Sequence, residues 1–193
     1  MAAKKQEKTL NEEIEIPEGA SANIEGKEII IKKNNKEVRR KLNPIIEVKI
    51  QGNKIILSCK KTTKKEKKIF GTMKAHIRNM IHGVQKPFVY KLKACSGPPN
   101  SHFPMQLSMA NNVLTIKNFL GEKVPRLLKL KSGVNVKITG TDITVESPDI
   151  ELAGSTASEL ELVTNIPNKD QRIFQDGIYI TEKPEREITW QIY

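Results

Sequence analysis

One eleven-residue pattern occurs twice, and it limits the fold more than any other stretch. Val48 to Ser58 reads VKIQGNKIILS, and Val136 to Glu146 reads VKITGTDITVE. Valine, lysine, isoleucine, glycine and a later isoleucine fall in the same places. In each copy apolar and polar residues alternate, a glycine interrupts, and the alternation resumes. That pattern predicts a β-hairpin with one buried face. A candidate helix follows each copy, Ile69 to Val84 and Ile150 to Ile166, with Gly71-Thr72 and Gly154-Ser155 opening the two in parallel. A hairpin and helix recurring about 85–90 residues apart form too large a unit for a solenoid and point to a duplicated domain. The expected fold class is α+β: two tandem similar domains, each an antiparallel β-sheet assembly packed on one α-helix.

A chain of 193 residues accommodates two such domains, each with a thin core. The expected boundaries are a basic N-terminal arm over 1–11, a first domain over 12–84, a second over 85–184 and a tail over 185–193. The arm is read as mobile. No stretch approaches the roughly 18 apolar residues of a membrane span. The start, MAAKKQEKTLNEE, has no apolar segment of the secretory kind. Cys59 and Cys95 could pair in principle, but a reduced intracellular protein is the simpler reading.

Charge is distributed unevenly. Residues 1–90 carry 21 basic against 10 acidic side chains, and residues 91–193 carry 12 of each. Within the second part, 91–140 holds eight basic residues against Glu122 alone, and 141–193 holds four against eleven acidic ones. A basic surface ahead of an acidic helix would give the second domain two unlike faces. A polyanion is the natural partner of the basic ones.

Shorter signals fill in the chain. Ile14 to Ile24 alternates across Pro17-Glu18-Gly19, and Glu28 to Lys32 and Glu37 to Leu42 flank a turn at 33–36. Lys60 to Lys68, KKTTKKEKK, reads as a loop joining strand to helix. A solvated loop and a phosphate-contacting loop both fit it. Ile69, Met73, Ile77, Met80, Ile81 and Val84 make an apolar helix face that Gly83 is suited to end. Val84 to Lys93 reads as a linker entering a strand, and Ala94 to Asn100 as a turn-rich loop. Gln106 to Met109 and Val113 to Lys117 alternate around Asn111-Asn112. In Leu127 to Lys131, Lys129 and Lys131 share a parity and so one strand face. Ser147-Pro148-Asp149 reads as a helix start, with Ser147 as the capping hydroxyl and Pro148 at the first position. Ile150, Ala153, Ala157, Leu160 and Val163 or Thr164 form its buried stripe, and Gly177 to Thr181 suits a closing strand.

Catalytic signatures are missing. There is no phosphate-cradling glycine loop, no nucleophile elbow and no Cys/His set with zinc spacing. His76 and His82 are six apart and do not adjoin on a helix. Asp142, Glu146, Asp149 and Glu151 are explained by helix-start electrostatics. No metal, cofactor or small-molecule substrate is expected, and no enzyme. Aromatics are 5% and scattered, whereas a single-strand RNA platform needs stacked rings among basic residues. Lysines and arginines in loops and on strands suit phosphate and 2′-hydroxyl contacts on helical RNA.

Several stretches together resemble one family. HFPM at 102–105, NFLGEK at 118–123, PDIELAGSTASELE at 148–161 and NKDQRIFQDGIYITEKP at 168–184 resemble large-subunit ribosomal protein L6, in its archaeal and eukaryotic form. GTMKAHIRNMIHGV at 71–84 resembles the helix of that family's first domain. The longer approach to HFPM through ACSGPPN and the tail from Glu185 depart from the pattern.

The resemblance implies two similar α+β domains and a place on the large subunit. There it would bind rRNA close to the sarcin–ricin loop and stalk base, mainly through the second domain. Matching positions are Asn118, Glu122, Lys123 and Arg126, then Lys169, Arg172, Phe174, Asp176 and Tyr179. Phe174 and Gly177 fit a structural role equally, and Asp176 a turn cap. With the basic loops added, the residues expected at rRNA are Lys64, Lys65, Lys117, Asn118, Lys123, Arg126, Lys129, Lys131, Lys169, Arg172, Tyr179 and Lys183. The expected role is a structural constituent of the cytoplasmic ribosome that bridges rRNA segments. Neighbouring ribosomal proteins are further partners, and translation factors act nearby. The alternative is a protein-binding scaffold using the acidic helix and the basic first domain. An RNA-processing enzyme is a more distant rival with no candidate residue.

Overall fold

Both copies of the repeat fold as hairpins in the same register. The computed structural model describes residues 9–34, 36–96, 104–170 and 172–184, and the chain divides between Pro87 and Phe88 into two units. The first unit contains β1 (Leu10–Glu15), β2 (Ser21–Glu25), β3 (Glu28–Lys33), β4 (Lys36–Lys41), β5 (Glu47–Gln51), β6 (Lys54–Cys59) and α1 (Lys64–Gln85). The second contains β7 (Phe88–Cys95), β8 (Gln106–Ala110), β9 (Val113–Lys117), a 3-10 turn (Phe119–Gly121), β10 (Arg126–Lys129), β11 (Asn135–Thr139), β12 (Asp142–Ser147), α2 (Ile150–Val163) and β13 (Gly177–Glu182).

The repeated segments are the β5–β6 and β11–β12 hairpins. Val48 faces Leu57 and Ile50 faces Ile55, as Val136 faces Val145 and Ile138 faces Ile143. Gly52 and Gly140 start the two-residue loops at φ +57° and +63°, a left-handed conformation that glycine adopts without steric cost. Around each hairpin the topology is also repeated. The first unit orders its strands β1-β6-β5 beside a β2-β3-β4 meander; the second orders β7-β12-β11 beside a β8-β9-β10 meander. All pairings are antiparallel. The second unit adds β13 on the far side of β7.

Each sheet buries its period-two face against one helix. In the first unit Ile14, Ile55, Leu57, Ile29 and Ile31 pack with Met73, Ile77, Met80 and Val84 of α1. In the second, Leu92, Ile143, Val145 and Ile178 pack with Ala153, Ala157 and Leu160 of α2. Both cores are the two similar antiparallel sheet-on-helix domains that the repeat predicts.

Several local boundaries differ from the sequence reading. Leu10 and Asn11 belong to β1 rather than to an arm; the rest of that arm, 1–8, lies outside the described residues, as do 97–103 and the tail from 185. Ala94 and Cys95 end β7 instead of opening a loop. α1 begins at Lys64, inside the lysine run, because unbranched lysines are good helix formers. Its buried face uses Phe70, with Ile69 half-buried, and it runs through a buried Gly83 to Gln85. At α2 the cap is Asp149, whose carboxylate accepts from the Glu151 N–H at 2.8 Å. Ser147 instead accepts from the Asp149 N–H and donates to Gly133 O, which leaves Pro148 ahead of the helix.

The glycine parallel also fails. Burial aligns Met73, Ile77 and Met80 with Ala153, Ala157 and Leu160, so Gly71 and Gly154 occupy different turns. Gly71 is exposed, and a Cβ there would meet nothing within 4 Å. At Gly154 a Cβ would lie 2.9 Å from the Tyr90 hydroxyl and 3.4 Å from Tyr90 Cζ, in a side chain that is itself buried.

The outer edge of β13 is protected by α2. The buried Thr164 hydroxyl accepts from Ile178 N–H at 2.9 Å, and Glu161 Oε1 accepts from Ile180 N–H at 3.0 Å. Sheet edges left with open N–H groups recruit other chains, and here two side chains fill those positions.

Two outcomes follow for urea unfolding. Gly71→Ala raises stability by about 0.5–1 kcal/mol, the helix-propensity gain. Gly154→Ala lowers it by about 1–3 kcal/mol, because displacing Tyr90 outweighs the same gain. Equal shifts for both would contradict the packing described. Separately, Thr164→Val keeps the shape but strands the Ile178 N–H, and costs about 1–3 kcal/mol in the same assay.

Candidate nucleic-acid interface

The meander of the second unit has one buried and one open face. Leu114, Ile116 and Leu128 point into the core with Arg126. By alternation, the other face carries Lys117, Lys129, Thr115, Ser108, Gln106, Leu127, Val113 and Ala110. In the rows across the strands, Lys129 pairs with Val113 and then Ala110, Leu127 with Thr115 and Ser108, and Lys117 with Gln106. None of these positions is acidic. Among the described residues neither lysine has an ion-pair partner, and both are exposed. The face therefore offers two cations, with the Thr115 hydroxyl between them and the Ser108 hydroxyl and Gln106 amide beside them on β8.

The outer face of the four-stranded sheet is different. Lys93 sits beside Asp142 and Tyr179, and Lys91 beside Thr144 and Glu182, to which it is ion-paired at 2.7 Å. Carboxylates here offset the cations, so this face is the weaker anion surface.

NFLGEK forms a locked turn. Asn118 and Leu120 take φ +59° and +48°, and Gly121 φ +76°. A branched residue in that region is strained, and the strain persists only where surrounding contacts impose it. Phe119, 2% exposed, is the anchor. The Arg126 guanidinium lies 4.3 Å from its ring centroid. That guanidinium grips Glu122 in a fork, Nε to Oε2 at 2.8 Å and a terminal nitrogen to Oε1 at 2.6 Å. Its other terminal nitrogen donates to Val163 O at 2.8 Å and Asn165 O at 3.0 Å, carbonyls at the C-terminal end of α2. Hydrogen bonds from Arg126 hold the Glu122 carboxyl below its ordinary value, against burial, with the charges of Arg126 and Lys169 adding to the effect.

The expected contact residues separate into groups. Lys117 and Lys129 share the open face. Lys123 is exposed beside the locked turn. Asn118 donates to Pro104 O at 3.3 Å. Arg126 directs its donors inward, so it is a structural clamp rather than an exposed phosphate ligand. Lys131 lies beyond β10 and is ion-paired to Glu159 at 2.6 Å, with a hydrogen bond to Ser155. Its charge is held by α2, not offered beside Lys129.

In the closing stretch, the Lys169 ammonium rides 4.5 Å from the Phe174 ring centroid. Asp170 caps the turn by accepting from Arg172 N–H at 2.9 Å. Arg172 and Lys183 are exposed. The Tyr179 hydroxyl donates to Gln175 O at 3.2 Å. Lys64 and Lys65, in the first turn of α1, are exposed.

Sequence reasoning missed Thr115, Ser108 and Gln106, which only strand register places on one face with the lysines. It also missed Thr164 and Glu161 as edge ligands. Cys59 and Cys95 are both free. Among the described residues no group of three His, Cys, Asp or Glu side chains could hold a metal ion, and no helix is long and apolar enough to cross a membrane.

The chain matches the ribosomal protein L6 family twice, over residues 16–87 and 103–177, one match per unit. The large ribosomal subunit protein uL6 of Methanococcus vannielii is 41% identical to it over 175 residues, covering 90% of this chain and 94% of that protein. Its counterpart in Haloarcula marismortui is 39% identical, with 90% and 96% covered. That of Sulfurisphaera tokodaii is 40% identical over 176 residues, with 90% and 92% covered.

The Arg126 clamp has a pH signature. A carboxyl whose folded value is depressed contributes stability above its ordinary value of 4.5 and loses that contribution as pH falls through the folded value. Arg126→Ala therefore destabilises by about 1–3 kcal/mol at neutral pH. The gap to the native chain narrows on acidification to about pH 3.5. Urea midpoints at the two pH values check this, and a gap independent of pH would count against the clamp.

Proposed function

We propose that this chain, which belongs to the ribosomal protein L6 family, binds large-subunit rRNA as a structural constituent of the ribosome. It is an archaeal-type member of a non-catalytic family. The finer placement we propose is near the sarcin–ricin loop and the factor-binding stalk base. Its partners there are neighbouring ribosomal proteins, and translation factors act close by.

The observation that carries this reading is the acid-free face of β8–β9–β10. Lys117 and Lys129 stand diagonally across it, about 14 Å apart by strand geometry. Flexible ammonium groups at that spacing can reach phosphates on two strands of one RNA helix. Thr115 between them, with Ser108 and Gln106 alongside on β8, is suited to 2′-hydroxyls in the shallow minor groove. No aromatic ring lies on this face, so the mode is recognition of helical shape, not stacking of unpaired bases. In the first unit Lys64 and Lys65 give a second cationic contact, so that rRNA segments are bridged by the two units.

The scaffold alternative is weakened by how α2 uses its carboxylates. Glu159 holds Lys131 and Glu161 holds Ile180 N–H, so neither is a free acidic face for a partner.

In a sucrose gradient the tagged chain sediments with the large subunit and leaves that fraction after RNase treatment. On an rRNA fragment, replacing Lys117 and Lys129 with glutamate weakens binding and flattens the log–log salt dependence by about 1.5–2 units, the share of two phosphates. Unchanged affinity would move the interface elsewhere. A chain that never enters ribosomes would defeat the whole reading.

A further inference from the structure

The solvent side of α1 is a cationic face with no acidic residue on it. At helical spacing Lys64, Lys67, Lys68, Gly71, Ala75 and Arg78 share that side, and all six are exposed. We propose that this face lies across the minor groove of a helical rRNA segment. Gly71 and Ala75 then rest against the riboses, and the cations at either end take the flanking phosphates. The proposal rests on the rRNA reading above and deepens its contact in the first unit, from Lys64 and Lys65 to a whole helix face.

Three observations carry it. First, the charge is uncompensated. Among the described residues none of Lys64, Lys67, Lys68 and Arg78 has an ion-pair partner. The carboxylates of the first unit that lie nearest in the structure are turned elsewhere. Glu12 holds Lys74, and Glu47 holds Lys60. Glu66 falls on the buried side of the helix, four residues before Phe70, with one oxygen removed from water. His82, one turn beyond Arg78, is already engaged.

Second, nothing inside the chain asks for glycine at 71. Its φ is not positive, and a Cβ there would meet nothing within 4 Å. Glycine inside a helix gives up stability relative to alanine, and it suits a place where another molecule comes close to the backbone. With Ala75 one turn on, it makes a low saddle between the two groups of cations.

Third, the spacing fits. Lys68 and Arg78 are about 15 Å apart along the helix axis, and Lys64 and Arg78 about 21 Å. The minor groove of A-form RNA is wide and shallow and displays its 2′-hydroxyls. A helix can press its saddle into that groove while flexible side chains on both sides reach the phosphates. The face has no aromatic or large aliphatic side chain, the anchors on which protein partners depend. That sets an acidic protein aside as the occupant.

The test adds three probes to the isotope-labelled full chain, followed by NMR: a short RNA duplex, the DNA duplex of corresponding sequence, and polyglutamate. The RNA duplex shifts the amide resonances of Gly71 and Ala75 together. The DNA duplex, with its narrow minor groove, and polyglutamate do not. On an rRNA fragment that the native chain binds, Gly71→Leu weakens binding about tenfold, although it favours the helix. Urea unfolding shows this variant at least as stable as the native chain, so a lost fold does not explain the weaker binding. Replacing Lys64, Lys68 and Arg78 with glutamine flattens the log–log salt dependence by about 2–2.7 units, the share of three phosphates. Native affinity in Gly71→Leu, an unchanged salt slope, or no shift at Gly71 with RNA would overturn the proposal. Equal shifts with DNA would reduce the face to unspecific attraction, and equal shifts with polyglutamate would give it to an acidic protein; either overturns it too. In all these cases the rRNA reading stands as long as replacing Lys117 and Lys129 still weakens binding.

Discussion

Ile143 and Val145 in one unit, and Ile55 and Leu57 in the other, are wholly removed from water, and the remaining elements are arranged to keep them so. Each pair lies on the central strand of its sheet, hydrogen-bonded on both sides and covered by a helix. Side chains alternate with period two, so a one-residue slip would carry both to the solvent face. Gly52 and Gly140 fix that register by permitting a two-residue turn of the required hand. Loss of apolar contact with water supplies the driving force, and the hairpin turn supplies the uniqueness.

The two units meet that constraint with unlike helices. α1 covers its sheet with Phe70, Met73, Ile77 and Met80, all large side chains. α2 presents Ala153, Gly154 and Ala157, and the Tyr90 hydroxyl comes within one carbon's width of its backbone. A helix that close lets side chains of its last turn reach over the sheet. Glu161 and Thr164 do so and fill the N–H positions along the edge of β13. The added strand and the small-residue helix are parts of one arrangement. Among the described residues the first unit has neither.

The hairpins were legible because their signals are local: alternation, then Gly or Asn in a turn. Asn111 and Asn112 both take positive φ, as a tight hairpin requires. The lysine run misled because repulsion suggests a loop, whereas packing from Phe70 onward stabilises a helix that extends back through good helix formers. Charge was the least legible property. Arg126 and Lys131 look as available as Lys117 and Lys129 in the sequence. Their partners stand four residues away in one case and 24 to 39 in the others, and only the folded chain brings them together. The NFLGEK motif was legible as a motif, but its physical role is to lock a strained turn onto the end of α2.

Net charge is therefore a poor guide to where this protein meets its partners. The second unit is close to neutral, yet its neutrality is the sum of two segregated regions. Lysines that fall near α2 are drawn to its carboxylates, as Lys131 is to Glu159. Lysines on the outer face of the meander have no carboxylate within their rows and keep their charge for an external anion. Screening extinguishes weak fields within about 8–10 Å, so a polyanion close to the meander responds to that face and not to the sum. A domain neutral in sum can in this way still present one cationic face to a polyanion, without sequence-specific contacts.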